Sequence, residues 1–197
     1  MTAPEIVYGL VLAGGKSRRM GSDKAALQTN GKTQLEFAVE LLRPHVAEVF
    51  VSAREDQADD PVRSKYPQIV DRYDNLGPVA GILSAMDAHP DVAWLVLACD
   101  LPNIDDRTIK FLLENTSADH HATAFESVLD RLPEPLCAVY RPESGAIIAG
   151  FVGEGLKCPR TMLIKTDTQL RKQPIPGALH NINRPEDLAG TGVEIAS

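Results

Sequence analysis

Positive charge is the scarce commodity in this 197-residue chain, where 20 Lys and Arg stand against 27 Asp and Glu, a net of −7. That deficit excludes nucleic-acid binding through a broad cationic surface, because such binding needs clustered cations to neutralise many phosphates. Long apolar runs are also missing. Stretches such as Trp94 to Cys99 fall far short of the ~20 residues that span a bilayer, so no membrane association is expected. The first residues, Met1 to Glu5, carry no basic segment ahead of an apolar one, which argues against a secretion signal. Cysteine is sparse and odd in number, with Cys99, Cys137 and Cys158 in no CxxC spacing. Such cysteines read as reduced thiols of a cytoplasmic protein, not as a zinc site or a disulfide framework. The five histidines form no HExxH pattern, and His120-His121 reads as a surface pair. No internal repeat, low-complexity tract or long linker divides the chain, and its length fits one domain with a sizeable core.

What is present is alternation. Ile6 to Leu12 is a short apolar run ended by Gly14-Gly15, the pattern of a strand buried on both faces. A helical pattern follows over Thr33 to Arg43, then a strand over Val46 to Val51, a short strand at Ile69-Val70 and a helix over Pro78 to His89 with Pro in its first turn. Ala93 to Ala98 reads as another buried strand and Ile104 to Glu114 as another helix. Repeated β–α alternation predicts an α/β fold, a Rossmann-like, doubly wound, mostly parallel sheet with helices on both faces. Beyond about residue 118 the pattern changes. Strands are expected at Ala122–Glu126 and Leu136–Tyr140 with Pro133 and Pro135 in the loop between them, a helix over 144–152, and an ambiguous segment around Leu163–Lys165. Asn181-Ile182-Asn183 precedes a short helix opened by Pro185.

Four segments have the composition of a phosphate-handling site. The first is Leu12-Ala13-Gly14-Gly15-Lys16-Ser17-Arg18-Arg19-Met20-Gly21-Ser22-Asp23-Lys24. Glycines placed directly after a strand let the backbone approach a phosphate closely. Lys16, Arg18, Arg19 and Lys24 lie within nine residues whose only anion is Asp23, a local +3 in a chain of net −7. A solvated basic turn is the competing reading, and the glycine pair after a buried strand weighs against it. It is not a Walker A loop, since five residues separate Gly9 from Gly15-Lys16-Ser17 where that motif has four, and there is no GxGxxG.

The second segment is Asp71 to Gly81, in which Gly77-Pro78 opens a helix and Gly81 permits close approach one turn later. Of Asp71 and Asp74, Asp71 is favoured because it directly follows a strand. The third is Asp100 in Cys99-Asp100-Leu101-Pro102, directly after a buried strand, hence at the carboxyl edge where open α/β sheets bind ligands. One such carboxylate suffices for Mg²⁺, which completes its shell with water and substrate phosphates. Helix capping is the plainer role for Asp100, and Pro102 and Asp105 are better placed for it. Cys99 reads as packing. The fourth is Asn181-Ile182-Asn183-Arg184-Pro185-Glu186-Asp187-Leu188, where both amides share one face of an extended segment, and Asn183 alternatively caps the helix behind it. Arg141, Arg160 and Lys165 are candidates to meet a second phosphate, and spacing does not choose among them.

Taken together, LAGGKSRRMGSDK, the D…GPVAG segment, CDLP and NINRPEDL resemble the motifs of the MobA-like nucleotidyltransferase family. The first loop, GPVAG, CDLP and the terminal motif match well, and residues 115–180 match only in layout. The resemblance implies transfer of GMP from GTP to the phosphate of molybdopterin or Mo-molybdopterin, with pyrophosphate released. It implies that residues 1–115 hold the nucleotide and 116–197 face the pterin acceptor. By the same resemblance Leu12, Ala13, Gly14, Gly15 and Lys24 contact the nucleotide, and Lys24 and Arg19 neutralise its phosphates. Asp71 is implied to contact the nucleotide, Asp100 to bind Mg²⁺, and Asn181 and Asn183 to lie on the acceptor side. Proteins that deliver or receive the cofactor are implied partners. One departure stands out: some members carry an asparagine just after the second strand, where this chain has Ser52-Ala53-Arg54. By the resemblance, LAGG and the Asp23-Lys24 pair favour GTP over CTP, and a cytidylyltransferase, another small-molecule nucleotidyltransferase or a non-catalytic nucleotide-binding module are the alternatives.

Overall fold

A computed structural model describes residues 6–14, 24–29, 31–181 and 193–194, with Lys24, Thr29, Val193 and Glu194 as backbone only. In chain order the elements are β1 (Val7–Leu12), β2 (Gln28–Thr29), β3 (Lys32–Thr33), α1 (Gln34–Leu42), β4 (Val49–Ala53), β5 (Gln68–Val70), α2 (Pro78–Ala88) and β6 (Ala93–Ala98). They continue with α3 (Asp106–Glu114), β7 (Ala122–Glu126), β8 (Pro133–Tyr140), α4 (Ser144–Gly153), α5 (Pro159–Lys165), β9 (Thr168–Arg171) and β10 (Val193–Glu194). Seven strands form one sheet in the order β5-β4-β1-β6-β8-β7-β9, and β10, β2 and β3 form a small second sheet.

The apolar runs of β1, β4 and β6 are buried because successive side chains feed opposite faces of the sheet. Val11, Leu95 and Leu97 pack with Leu35, Val39 and Leu42 of α1 and with Ile109 and Leu112 of α3. Leu10, Trp94 and Val96 pack on the other face against Val79, Ile82 and Leu83 of α2, Ile148 of α4 and Met162 and Leu163 of α5. Helices therefore cover both faces, as the alternation predicted. Two helix starts fall later than the apolar pattern alone indicates, because a side chain caps each. Thr33 accepts from the Glu36 amide (3.1 Å) and Asp105 from the Thr108 amide (2.9 Å).

β4 pairs with β1 and β5, and β1 with β6, all in parallel. β8 runs against both β6 and β7, while β9 is parallel to β7. The reversal follows from the short connection after Glu126, which suits a hairpin and is too short for a crossover. Here the structure corrects the sequence reading: Pro133 and Pro135 lie inside β8, not in a loop before it. They are tolerated because β8 meets β6 only from Cys137 onward, and the register against β7 shifts between Ala124 and Phe125. The buried Tyr140 hydroxyl donates to the Pro135 carbonyl at 2.9 Å, satisfying an acceptor in that irregular stretch.

Candidate functional site

Parallel pairing carries four chain segments to one edge. Leu12 is in register with Ser52 on one side and Ala98 on the other, and Ala53 with Val70. Just beyond these pairs come Ala13-Gly14 after β1, Arg54 after β4, Asp71 after β5 and Asp100 after β6, so adjacent strand ends present them side by side. The ends of β5 and β6 are three strand spacings apart, about 14 Å, a span suited to a nucleotide rather than an ion. Neighbouring strands leave β1 in opposite directions along the chain, which makes the β1/β6 boundary a topological switch point.

Asp71 is built into this edge. Ser52 Oγ donates to Asp71 Oδ1 at 2.8 Å, and a Cβ placed on Gly14 would stand 3.2 Å from Asp71 Oδ2. Burial pushes the Asp71 carboxyl above its ordinary pKa, and the Ser52 hydroxyl and the Arg54 charge partly oppose that rise. Asp74, the other candidate, is exposed. Gly81 works differently from the sequence expectation. A Cβ there would fall 2.3 Å from Ser52 Oγ and 3.0 Å from Leu12 Cδ2, so its missing side chain lets α2 pack onto β1 and β4 beneath the site, rather than admitting a ligand. Gly77 takes φ +57°, a left-handed turn that starts α2 ahead of Pro78. Ser84, buried in α2, accepts from the Arg72 amide at 2.8 Å and ties the β5–α2 connection to the helix.

Two arginines, neither of them a site candidate by motif or spacing, grip the end of β1. Arg54 donates through NH1 to the Gly14 carbonyl at 2.5 Å while Nε and NH2 pair with the two oxygens of Asp56 at 2.9 and 3.0 Å. Arg63 donates through Nε and NH2 to the Ala13 carbonyl at 3.1 and 2.7 Å.

On the other side of β1, Asp100 is partly exposed in a turn, and the Cys99 amide donates to the Leu12 carbonyl at 3.4 Å. Cys99 itself belongs to the apolar core. Asp105, not Asp100, caps α3, accepting from both the amide and the hydroxyl of Thr108. Among the described residues no group of three His, Cys, Asp or Glu is arranged to hold a metal. A carboxylate at the carboxyl edge of a parallel sheet is a hard oxygen donor, of the kind that binds divalent cations together with water and phosphate oxygens.

The remaining candidates divide. Gly15, Arg19 and Asn183 lie outside the described residues, and of Lys24 only the backbone is described, opening the single turn Lys24–Ala26. Asn181 is exposed. Arg160 is held by Asp130 (3.1 Å) and Glu134 (3.0 Å) of the β7–β8 hairpin, and Arg141 lies 3.6 Å from Glu143. Lys165 is exposed at the end of α5. No helix among the described residues is long and apolar enough to cross a membrane.

The chain is similar in sequence and in fold to known proteins. The MobA-like NTP transferase domain matches residues 9–168. The chain is 39% identical over 181 residues to a molybdenum cofactor biosynthesis bifunctional protein of Synechocystis sp., covering 92% of this chain and 52% of that protein. It thus spans about half the length of that relative. It is 31% identical over 195 residues to a probable molybdenum cofactor guanylyltransferase of Methanothermobacter thermautotrophicus, covering 90% and 95% of the two chains. In fold it matches molybdopterin-guanine dinucleotide biosynthesis protein A from Archaeoglobus fulgidus at a TM-score of 0.78 and 23% identity, over 94% and 96% of the two chains. With a family domain that runs from the middle of β1 to the start of β9, this chain belongs to the MobA-like NTP transferases.

Proposed function

We propose that the chain transfers GMP from GTP to the terminal phosphate of molybdopterin or Mo-molybdopterin. An acceptor phosphate oxygen attacks the α-phosphorus of GTP, the bond from that phosphorus to the β-phosphate oxygen breaks, and pyrophosphate leaves. The observation that carries this reading is the convergence of the Ala13-Gly14 backbone, Asp71 and Asp100 on one sheet edge at a switch point. The guanylyltransferase named among the relatives supports the choice of reaction.

In this reading the backbone after β1 and the cations Lys24 and Arg19 carry the triphosphate, and Gly15 continues the close approach. Asp71 holds the nucleoside end of GTP, with Ser52 orienting its carboxylate. Asp100 would hold Mg²⁺, which when bound neutralises charge on the reacting phosphates. Asn181 and Asn183 would lie toward the acceptor. Residues 1–115 then form the nucleotide half and 116–197 the acceptor half, in a cytoplasmic enzyme whose cofactor passes between partner proteins. Catalysis of this kind rests on positioning and charge stabilisation, with no covalent enzyme intermediate.

The test is pyrophosphate release by the purified protein with Mg²⁺, molybdopterin and each of GTP, CTP, ATP and UTP. Acceptor-dependent release with GTP is expected. A preference for CTP moves the chain to cytidylyl transfer, and nucleotide binding without release in any arm removes the catalytic reading.

A further inference from the structure

Among the described residues Arg63 is the largest buried charged side chain, 1% exposed, in the mostly polar connection between β4 and β5. Its surroundings are built for it. Asp60 Oδ1 lies 3.0 Å from Arg63 NH1 and accepts the amides of Val62 and Arg63, each at 3.1 Å. Burial pushes the Asp60 carboxyl up, but those amides and the guanidinium outweigh it and hold the carboxyl below its ordinary pKa. The other face of the guanidinium delivers two donors to one acceptor, the Ala13 carbonyl.

The β1–β4 register explains why that carbonyl needs them. The Ala13 amide donates to the Ser52 carbonyl at 3.2 Å, so a continuing parallel ladder would return the Arg54 amide to the Ala13 carbonyl. Instead β4 ends, the chain turns through Glu55–Gln57, and the Arg54 amide faces Gln57 Oε1 at 3.5 Å. Arg63 fills the missing rung from nine residues downstream. Arg54 holds the next carbonyl, that of Gly14. In a trans peptide the C=O and N–H point in opposite directions, and no cis peptide bond occurs among the described residues. Fixing the Ala13 carbonyl toward β4 therefore turns the Gly14 N–H toward the β6 side, where Asp100 lies.

We infer that Arg63, aimed by Asp60, is a positioning residue for nucleotide binding: it locks the end of β1 so that the Gly14 amide faces the phosphates. This rests on the reading of residues 12–24 as the triphosphate loop. A buried arginine serving only stability would lower the melting temperature with little change in the nucleotide affinity of the folded protein, whereas one that sets an amide's direction lowers that affinity as well.

The experiment compares Arg63→Lys, which keeps the charge but not the two-pronged grip, with the core variant Val39→Ala as a control for general destabilisation. Melting temperature and Mg²⁺–GTP affinity by titration calorimetry are measured on both and on the wild type. Arg63→Lys is expected to weaken GTP binding about tenfold, the scale of one charge-assisted hydrogen bond, with Val39→Ala within about twofold of wild type. In turnover the loss should fall on the KM for GTP, leaving the KM for the acceptor unchanged. Equal affinities in Arg63→Lys and wild type, or equal losses in Arg63→Lys and Val39→Ala, overturn the proposal. If Arg63→Lys shows no cooperative melt, Asp60→Asn takes its place under the same criteria, and failure of both to fold assigns the pair to stability alone. A wild-type chain that binds no nucleotide contradicts the underlying reading as well as the inference, whereas a binding wild type with an unaffected variant contradicts only the inference.

Discussion

The two flanks of β6 handle their charges in opposite ways. At the β1–β4–β5 edge, charged side chains meet backbone carbonyls or a hydroxyl: Arg63 the Ala13 carbonyl, Arg54 that of Gly14, and Asp71 the Ser52 hydroxyl. On the β8–β7–β9 side the ion pairs lie across the surface, Arg160 with Asp130 and Glu134 and Arg131 with Glu126. The hairpin there also exposes Val128 and Leu129. Charges bonded to backbone hold it in one conformation and fit a pre-formed site. Surface pairs screened by water contribute ~0–1 kcal/mol each and fix little.

Substitutions that strike the two flanks should therefore differ in kind. The largest effect is expected for Asp100→Ala, which should lower kcat by ~10²–10³, the cost of losing charge stabilisation in the transition state, while the thermal melt stays cooperative. Near-wild-type turnover would take Asp100 out of the reaction. Next is Gly81→Ala. Its Cβ has no room against Ser52 and Leu12, so denaturant titration should show a loss of ~1–3 kcal/mol, and displacement of Ser52 should weaken GTP binding too.

Asp71→Asn sharpens the contrast between stability and function. A carboxyl whose pKa is raised on folding favours the folded state in its protonated form. That contribution is complete below the unfolded value of ~3.9 and is lost as pH rises through the raised folded value. Asparagine cannot ionise, so the variant should melt at or above the wild-type temperature at pH 7 and lack this part of the pH dependence, while binding GTP more weakly. A lower melting temperature at pH 7 would contradict the stated burial cost. The smallest effect is expected for Arg160→Ala, ~0–1 kcal/mol with unchanged GTP affinity, since its partners are hairpin carboxylates at the protein surface. A large loss of GTP binding there would break the comparison between the flanks.

The same contrast explains what could be read from the sequence. β1 and β6 were legible because strands buried on both faces leave uninterrupted apolar runs, and Asp71 and Asp100 because a strand's last residue fixes its place at the edge. Arg63 is not legible in this way, since Arg54 to Tyr66 is mostly polar, with Ala58 and Val62 its only aliphatic side chains besides Pro61, and its burial depends on where β1 ends. Pro133 and Pro135 misled because strand rules for proline apply to a fully laddered position, which these are not. β9 is four residues of mixed polarity at an edge, too short for a periodic signal. β2 and β3 are two residues each, too short for a periodic signal, although the sequence between them contains Asn30-Gly31, a dipeptide that favours tight hairpins. Which cation of residues 116–180 meets an acceptor was left open by spacing, and the engagement of Arg160 with Asp130 and Glu134 depends on contacts 30 and 26 residues apart.

The nucleotide is proposed to lie across the ends of β5, β4, β1 and β6. Amide hydrogen exchange with and without Mg²⁺–GTP tests it most directly. Slowed exchange is expected in peptides covering residues 11–14, 52–54, 71–81 and 98–101, with the 127–134 hairpin unchanged. Protection centred on that hairpin, with the four strand ends unaffected, would contradict it.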